Sequence, residues 1–183
     1  MEKALITDTS VLLNLLATGC AAEIFAGSGR EFWLCKAVAE ETLVLRNRET
    51  QESHSIDLAP FIEKGLLKIC EISGDQEFEL LIEYAALMRR GSEGEAMSFA
   101  IAESRSLPVA IDDERAIKRA RKRYPSLKTV ASTTVLKAWQ ERQKIPANRM
   151  HEILMRIRLW ASYCPGESHA DYEWWAKICS QNG

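Results

Sequence analysis

The amino-acid sequence predicts an α/β fold: a three-layer α/β/α sandwich around a central parallel sheet, continued by a C-terminal helical extension. Three observations carry that expectation. Short apolar runs alternate with segments of helical spacing, which implies right-handed βαβ crossovers and a parallel sheet covered on both faces. Acidic residues follow directly on two of those runs, at Asp8 and at Asp112-Asp113, where such sheets bind ligands beyond the carboxyl ends of their strands. A chain of 183 residues with 46% hydrophobic residues can also bury a substantial core. The expected division is a domain over 1–144 and a helical extension over 145–183 packed on or beside it.

The elements follow in order. Ala4 to Thr7 is an apolar run, Asp8-Thr9-Ser10 a turn, and Val11 to Leu16 continues with helical spacing. Phe32 to Cys35 is a second strand, leading into a helix expected to run through Val38, Glu41, Leu43 and Leu45. After a loop or short helix around Ala59 to Lys64, marked by Pro60 and Gly65, Leu66 to Ile72 reads as a third strand. Two helices come next, from about Gln76 to Met88 and from Ser92 to Ser104, with Gly91 ending the first, Ser92 capping the second and Glu95 in the reciprocal capping position. Leu107 to Ile111 is a strand closed by Asp112-Asp113, and Arg115 to Arg123 is a basic helix stopped by Tyr124-Pro125. Lys128 to Ala131 is a last short strand before a helix over Ser132 to Gln143. Beyond Pro146 the chain is helical again, with Met150, Ile153, Leu154 and Ile157 at helical spacing, then Pro165-Gly166, then Tyr172, Trp174-Trp175 and Ile178.

Composition excludes several classes. A net charge of -2 argues against a chain that binds polyanions over its whole surface, so nucleic-acid contact is expected to be regional. The five cysteines are scattered, without a C-x-x-C pair or neighbouring histidines at zinc spacing, and read as reduced, mostly buried thiols of a cytoplasmic protein. MEKALITDTS lacks a signal-peptide apolar run, and no stretch approaches the roughly 18 apolar residues of a membrane span. His54, His151 and His169 lie far from one another and from the acidic motifs, so they are read as surface or packing residues.

The acidic residues carry the chemistry. Carboxylates gathered in one place repel one another unless protons or cations neutralise them, so Asp8, Glu41, Glu95 and Asp112-Asp113 together point to a hard-metal site and a metal-dependent hydrolase. Each has a structural alternative: Asp8 as a helix N-cap, Glu41 as a solvated helix residue, Glu95 as a capping-box partner, and one member of the doublet as the cap of the basic helix. Thr9 and Ser10 are suited to orient the Asp8 carboxylate. The basic helix, with Arg115, Lys118, Arg119 and Lys122, adjoins the acidic residues as expected if a phosphodiester backbone is to be held against bound metal.

Over about Leu5 to Lys144 these residues resemble the PIN-domain nucleases, which include the VapC-type toxins of toxin–antitoxin pairs. The resemblance rests on Asp8-Thr9-Ser10, Val38-x-x-Glu41, Gly94-Glu95-Ala96, Ile111-Asp112-Asp113 and Thr133-Thr134-Val135-Leu136, in that order and spacing. It implies a PIN-like sandwich in which Asp8, Glu41, Glu95 and Asp113 form a Mg²⁺ or Mn²⁺ site, with Asp112 a further candidate ligand and Ser10 in support. It further implies an RNA substrate, an antitoxin partner and a homodimer. Two competitors stand beside it: a non-catalytic PIN-like module that binds RNA or protein, and a phosphotransfer domain of the receiver type, which normally carries its acidic doublet early rather than late. The tryptophans of the extension are expected to pad the core, with a docking surface as the alternative.

Overall fold

The computed structural model describes residues 3–41, 43–88 and 93–180. In chain order the elements are β1 (Ala4–Thr7), α1 (Thr9–Ala17), α2 (Ala21–Gly27), β2 (Glu31–Cys35), α3 (Lys36–Glu40), β3 (Val44–Arg46), β4 (Ser53–Ser55), α4 (Ala59–Glu63), β5 (Leu67–Cys70), α5 (Gly74–Leu87), α6 (Glu93–Ser104), β6 (Val109–Ala110), α7 (Glu114–Arg123), β7 (Thr129–Val130), α8 (Ser132–Gln143), α9 (Ala147–Trp160) and α10 (Tyr172–Ser180).

The main sheet has five parallel strands in the order β5-β2-β1-β6-β7. Its direction of growth reverses at β1: β2 and β5 extend it one way, β6 and β7 the other. Because parallel crossovers are right-handed, connections running in opposite directions lie on opposite faces, which makes this the expected α/β/α class. The central strand needs apolar residues on both faces, and Leu5 and Ile6 are fully buried. The C-terminal helices α9 and α10 follow, as expected.

The chain groups into two compact units that are discontinuous in sequence. One comprises Met1–Leu12, Arg30–Glu41 and Leu58–Ala131; the other comprises Leu13–Gly29, Thr42–Asp57 and Ser132–Gly183. Residues 145–183 group with two earlier segments and α8. In the first unit, α5 packs along α6, and Tyr84 stacks on Phe99 with ring centroids 5.3 Å apart. A part-buried ion pair fastens their ends: Arg105 Nε donates to Glu77 Oε1 at 2.7 Å and Nη2 to Oε2 at 3.0 Å, while the Ser73 amide donates to Oε2 at 2.7 Å.

In the second unit, Asp171 ties the approach to α10 onto α8. It accepts from Thr133 at 3.1 Å and Thr134 at 2.7 Å and lies 3.5 Å from Lys137 Nζ. Burial alone would raise this carboxyl, but those hydroxyls and the Lys137 charge bring it below its ordinary value. Trp175 is buried against Tyr163, and Trp174 Nε1 donates to Gln140 at 2.9 Å. Trp175 thus pads this unit, while Trp160 and Trp174 are half-buried.

Two local expectations about elements are corrected. The helix expected to pass from Val38 to Leu45 stops at Glu40: Glu41 is extended (φ -66°, ψ 142°), and Leu45 lies in β3, which pairs antiparallel with β4. An Asx turn drives that hairpin, since Asn47 Oδ1 accepts from the amides of Glu49 and Thr50 at 2.9 and 3.0 Å and leaves no continuous helix to propagate. Helix α2 was not expected; Thr18 ends α1 by accepting the Cys20 amide at 3.1 Å, and the chain restarts as helix at Ala21. The Ser92 cap and the Gly91 stop lie outside the described residues. Of the five cysteines only Cys35 and Cys70 are buried; Cys20 and Cys179 are half-buried and Cys164 is exposed, so the expectation of mostly buried thiols is corrected. Among the described residues no single helix is long and apolar enough to cross a membrane; by length and composition alone the α1–α2 pair would pass together, but it is bent by 115°.

Candidate active site

The reversal of strand order brings the ends of β1 and β6 side by side. Thr7 pairs with Ala110, and the Asp8 amide then donates to the Ala110 carbonyl at 2.9 Å. The residues that follow, Asp8 and Asp112, must leave the sheet next to each other, in the crevice where doubly wound sheets bind ligands.

Asp8 is only 3% exposed. Its carbonyl opens α1 by accepting the Leu12 amide at 3.0 Å, while Oδ2 accepts the Ser10 amide at 3.1 Å and the Ser10 hydroxyl at 2.8 Å. It therefore caps a helix and faces the crevice at once. Burial raises its carboxyl above the ordinary value and the Glu41 charge pushes in the same direction, more than offsetting the hydrogen bonds from Ser10 and Thr9. The Ser10 hydroxyl uses both of its capacities here: it donates to Asp8 and accepts the Asp112 amide at 3.2 Å, bridging the exits of β1 and β6.

Glu41 reaches the same place from the end of α3. Thr9 donates its hydroxyl to Glu41 Oε2 at 2.7 Å. On the other side lies Gly94, in the first turn of α6; a Cβ there would sit 2.7 Å from Glu41 Oε1 and 3.0 Å from Val38 Cγ2. With any larger residue there, the exposed Glu41 carboxylate would have to swing out of its present position. Cys35, at the end of β2, lies 3.7 Å from the Gly94 carbonyl and 3.5 Å from the Ser98 hydroxyl, tying β2 to α6; burial pushes its thiol up. Glu95 follows Gly94 and is half-buried, with Oε2 out of contact with solvent.

The doublet divides its roles. Asp113 caps α7, its Oδ1 accepting the amides of Arg115 at 2.7 Å and Ala116 at 2.9 Å. Asp112 is the member whose backbone is held by Ser10, although the resemblance gives the metal role to Asp113. Ser10 thus joins the Asp8 carboxylate to the Asp112 backbone, Thr9 holds Glu41 beside them, and Glu95 follows Gly94 in sequence. Among the described residues no three His, Cys, Asp or Glu side chains come together closely enough to hold a metal ion.

Along α7, Arg115, Lys118 and Lys122 are exposed and Arg119 is half-buried. Lys118 lies 3.6 Å from Glu114, an exposed pair of little energetic weight. Beside Glu41 an open pocket of about 590 Å³ is lined by Lys36, Glu40, Glu93 and Met97. The parts that sequence reasoning did not assign are Thr9 as the partner of Glu41, Gly94 as its space, and Cys35 as a brace. Gly94 alone had a signal, a glycine at the start of a helix.

No protein-family model matches this chain, and neither a curated protein nor a solved structure matches it.

Proposed function

We propose that this protein is a divalent-metal-dependent ribonuclease acting at the Asp8 crevice and, by its resemblance to VapC-type toxins, a toxin restrained by an antitoxin. The observation that supports it most is the buried Asp8 carboxyl at the point where strand order reverses, linked through one hydroxyl to Asp112 and within electrostatic range of Glu41. Oxygen donors suit Mg²⁺ or Mn²⁺, and a positive charge would offset the burial that raises Asp8. Asp8, Glu41, Glu95 and Asp112 would hold the ion, with Asp113 contributing if its carboxylate serves both cap and site; loading requires these side chains to converge. When bound, such an ion supplies an activated water and neutralises the scissile phosphate.

The chain's own residues prepare for this. Ser10 fixes Asp8, Thr9 and Gly94 fix Glu41, and the cations of α7 are suited to hold a phosphodiester backbone. No serine, cysteine or histidine nucleophile is needed.

The test is cleavage of labelled structured RNAs with Mg²⁺, Mn²⁺ or EDTA, run beside Asp8→Asn and Asp112→Asn. Metal-dependent cleavage falling at least a hundredfold in Asp8→Asn, together with a metal-induced rise in Tm that the variant lacks, is the expected result. Cleavage that persists in EDTA would sink the metal reading. Folded protein with neither metal binding nor cleavage would replace it with an RNA- or protein-binding module.

A further inference from the structure

Away from the acidic crevice, the second compact unit carries an open pocket of about 570 Å³ lined by Arg48, Glu49, Met155, Arg158 and Leu159. Two arginines from different elements line it. Arg48 comes from the turn of the β3–β4 hairpin, and its amide donates to the Leu159 carbonyl at 2.8 Å; Arg158 comes from the last turn of α9. A cation at a helix carboxyl end is accounted for by the helix dipole, which explains Arg158 but not Arg48. Both side chains are exposed, and neither makes an ion pair among the described residues.

Besides the two arginines and Glu49, the lining is made by Met155 and Leu159, and the residue after Leu159 brings an aromatic ring. Met155 and Leu159 are half-buried, and Trp160, the next residue, packs against exposed His54 of β4 with ring centroids 4.9 Å apart. Arg46, exposed on β3, adds a third cation on the same hairpin; Glu49 is the one carboxylate in the lining. Cations that can track phosphates, apolar side chains that can cover sugars, and a ring on which a base can stack are the components of a single-stranded nucleic-acid site.

We propose that this pocket and the His54–Trp160 platform form a binding site for single-stranded RNA, separate from the cleavage centre. The choice of RNA rests on the ribonuclease reading; the site itself rests on the pocket. It gives the hairpin and the end of α9 a role that padding does not.

The experiment is fluorescence anisotropy of a labelled twelve-nucleotide oligouridine with the full-length protein in EDTA, so that binding is measured without cleavage. Arg48→Gln/Arg158→Gln changes only exposed side chains, and circular dichroism checks that it is folded. The expected result is binding about tenfold weaker, with the slope of log affinity against log salt reduced by about 1.4, as loss of two single-strand phosphate contacts requires. His54→Ala should weaken binding at least fivefold. Equal binding by parent and double variant, absence of binding by the parent, or loss on Arg115→Gln/Lys122→Gln in place of the double variant would each overturn the proposal. So would binding of a phosphopeptide with none of the RNA. Cleavage lost in Asp8→Asn with oligouridine binding intact keeps the two readings apart.

Discussion

Ser10 shows how much one short side chain can organise. Its hydroxyl donates to a buried carboxylate and accepts an amide from the neighbouring strand's exit, so both groups are satisfied where the sheet opens. Asp8 is less comfortable: burial raises its carboxyl, so folding favours its protonated form. A folded value above the unfolded one means stability grows as pH falls through the folded value and diminishes as the group ionises. Asp8→Asn, which keeps one acceptor oxygen for Ser10 and removes the charge, should therefore raise Tm at neutral pH in EDTA while abolishing cleavage; a lowered Tm would show that the charge is already compensated. Gly94 is the second sensitive position. Gly94→Ala places a methyl group 2.7 Å from Glu41 Oε1, and that carboxylate must move. Cleavage should fall at least tenfold with Tm within a few degrees of the parent, read from parallel activity and melting curves, because small misplacements of catalytic groups cost rate before they cost stability.

Among the elements, α7 depends most on a single cap. Its ten residues are strongly basic, and like charges repel along one side; the Asp113 carboxylate satisfies two amides and faces the positive end of the helix dipole. Asp113→Ala should cost about 1 kcal/mol in urea denaturation, whereas Asp113→Asn, an equally good cap, should cost only a few tenths. Cleavage separates the roles: an Asp113→Asn protein as active as the parent would make Asp113 purely a cap and leave Asp112 as the carboxylate of the crevice. The adjacency of two aspartates after an apolar run was plain in the sequence. Which one caps was not, because the choice depends on how the chain leaves β6, where Ser10 at the start of α1 accepts the Asp112 amide. The β3–β4 hairpin escaped for a related reason: its strands are three residues long and largely exposed, so no apolar alternation marks them.

For the whole molecule, the Glu77–Arg105 clamp links the start of α5 to the chain beyond α6. The Arg105 guanidinium holds the buried Glu77 carboxylate below its ordinary value, so the pair contributes stability that is fully present above the unfolded carboxylate range and is lost as pH falls through the folded value. Glu77→Gln should cost about 2–3 kcal/mol at neutral pH, less than a fully buried pair because Arg105 keeps part of its surface in water, and should flatten the acid limb of a stability–pH curve as pH falls below the ordinary carboxylate range. An unchanged acid limb would assign that loss to other carboxylates. By itself the sequence determined the α/β class, the order of the main strands and helices and the acidic residues at the strand ends, because periodicity and turn chemistry are local properties that neighbouring residues write directly. Only the tertiary structure decided that Thr9 rather than a helix turn orients Glu41, that Gly94 makes the space for it, and that Arg48 and Arg158 share a pocket. Those relations join residues 32, 53 and 110 positions apart, and such distances are closed by packing and strand order, which no local pattern records.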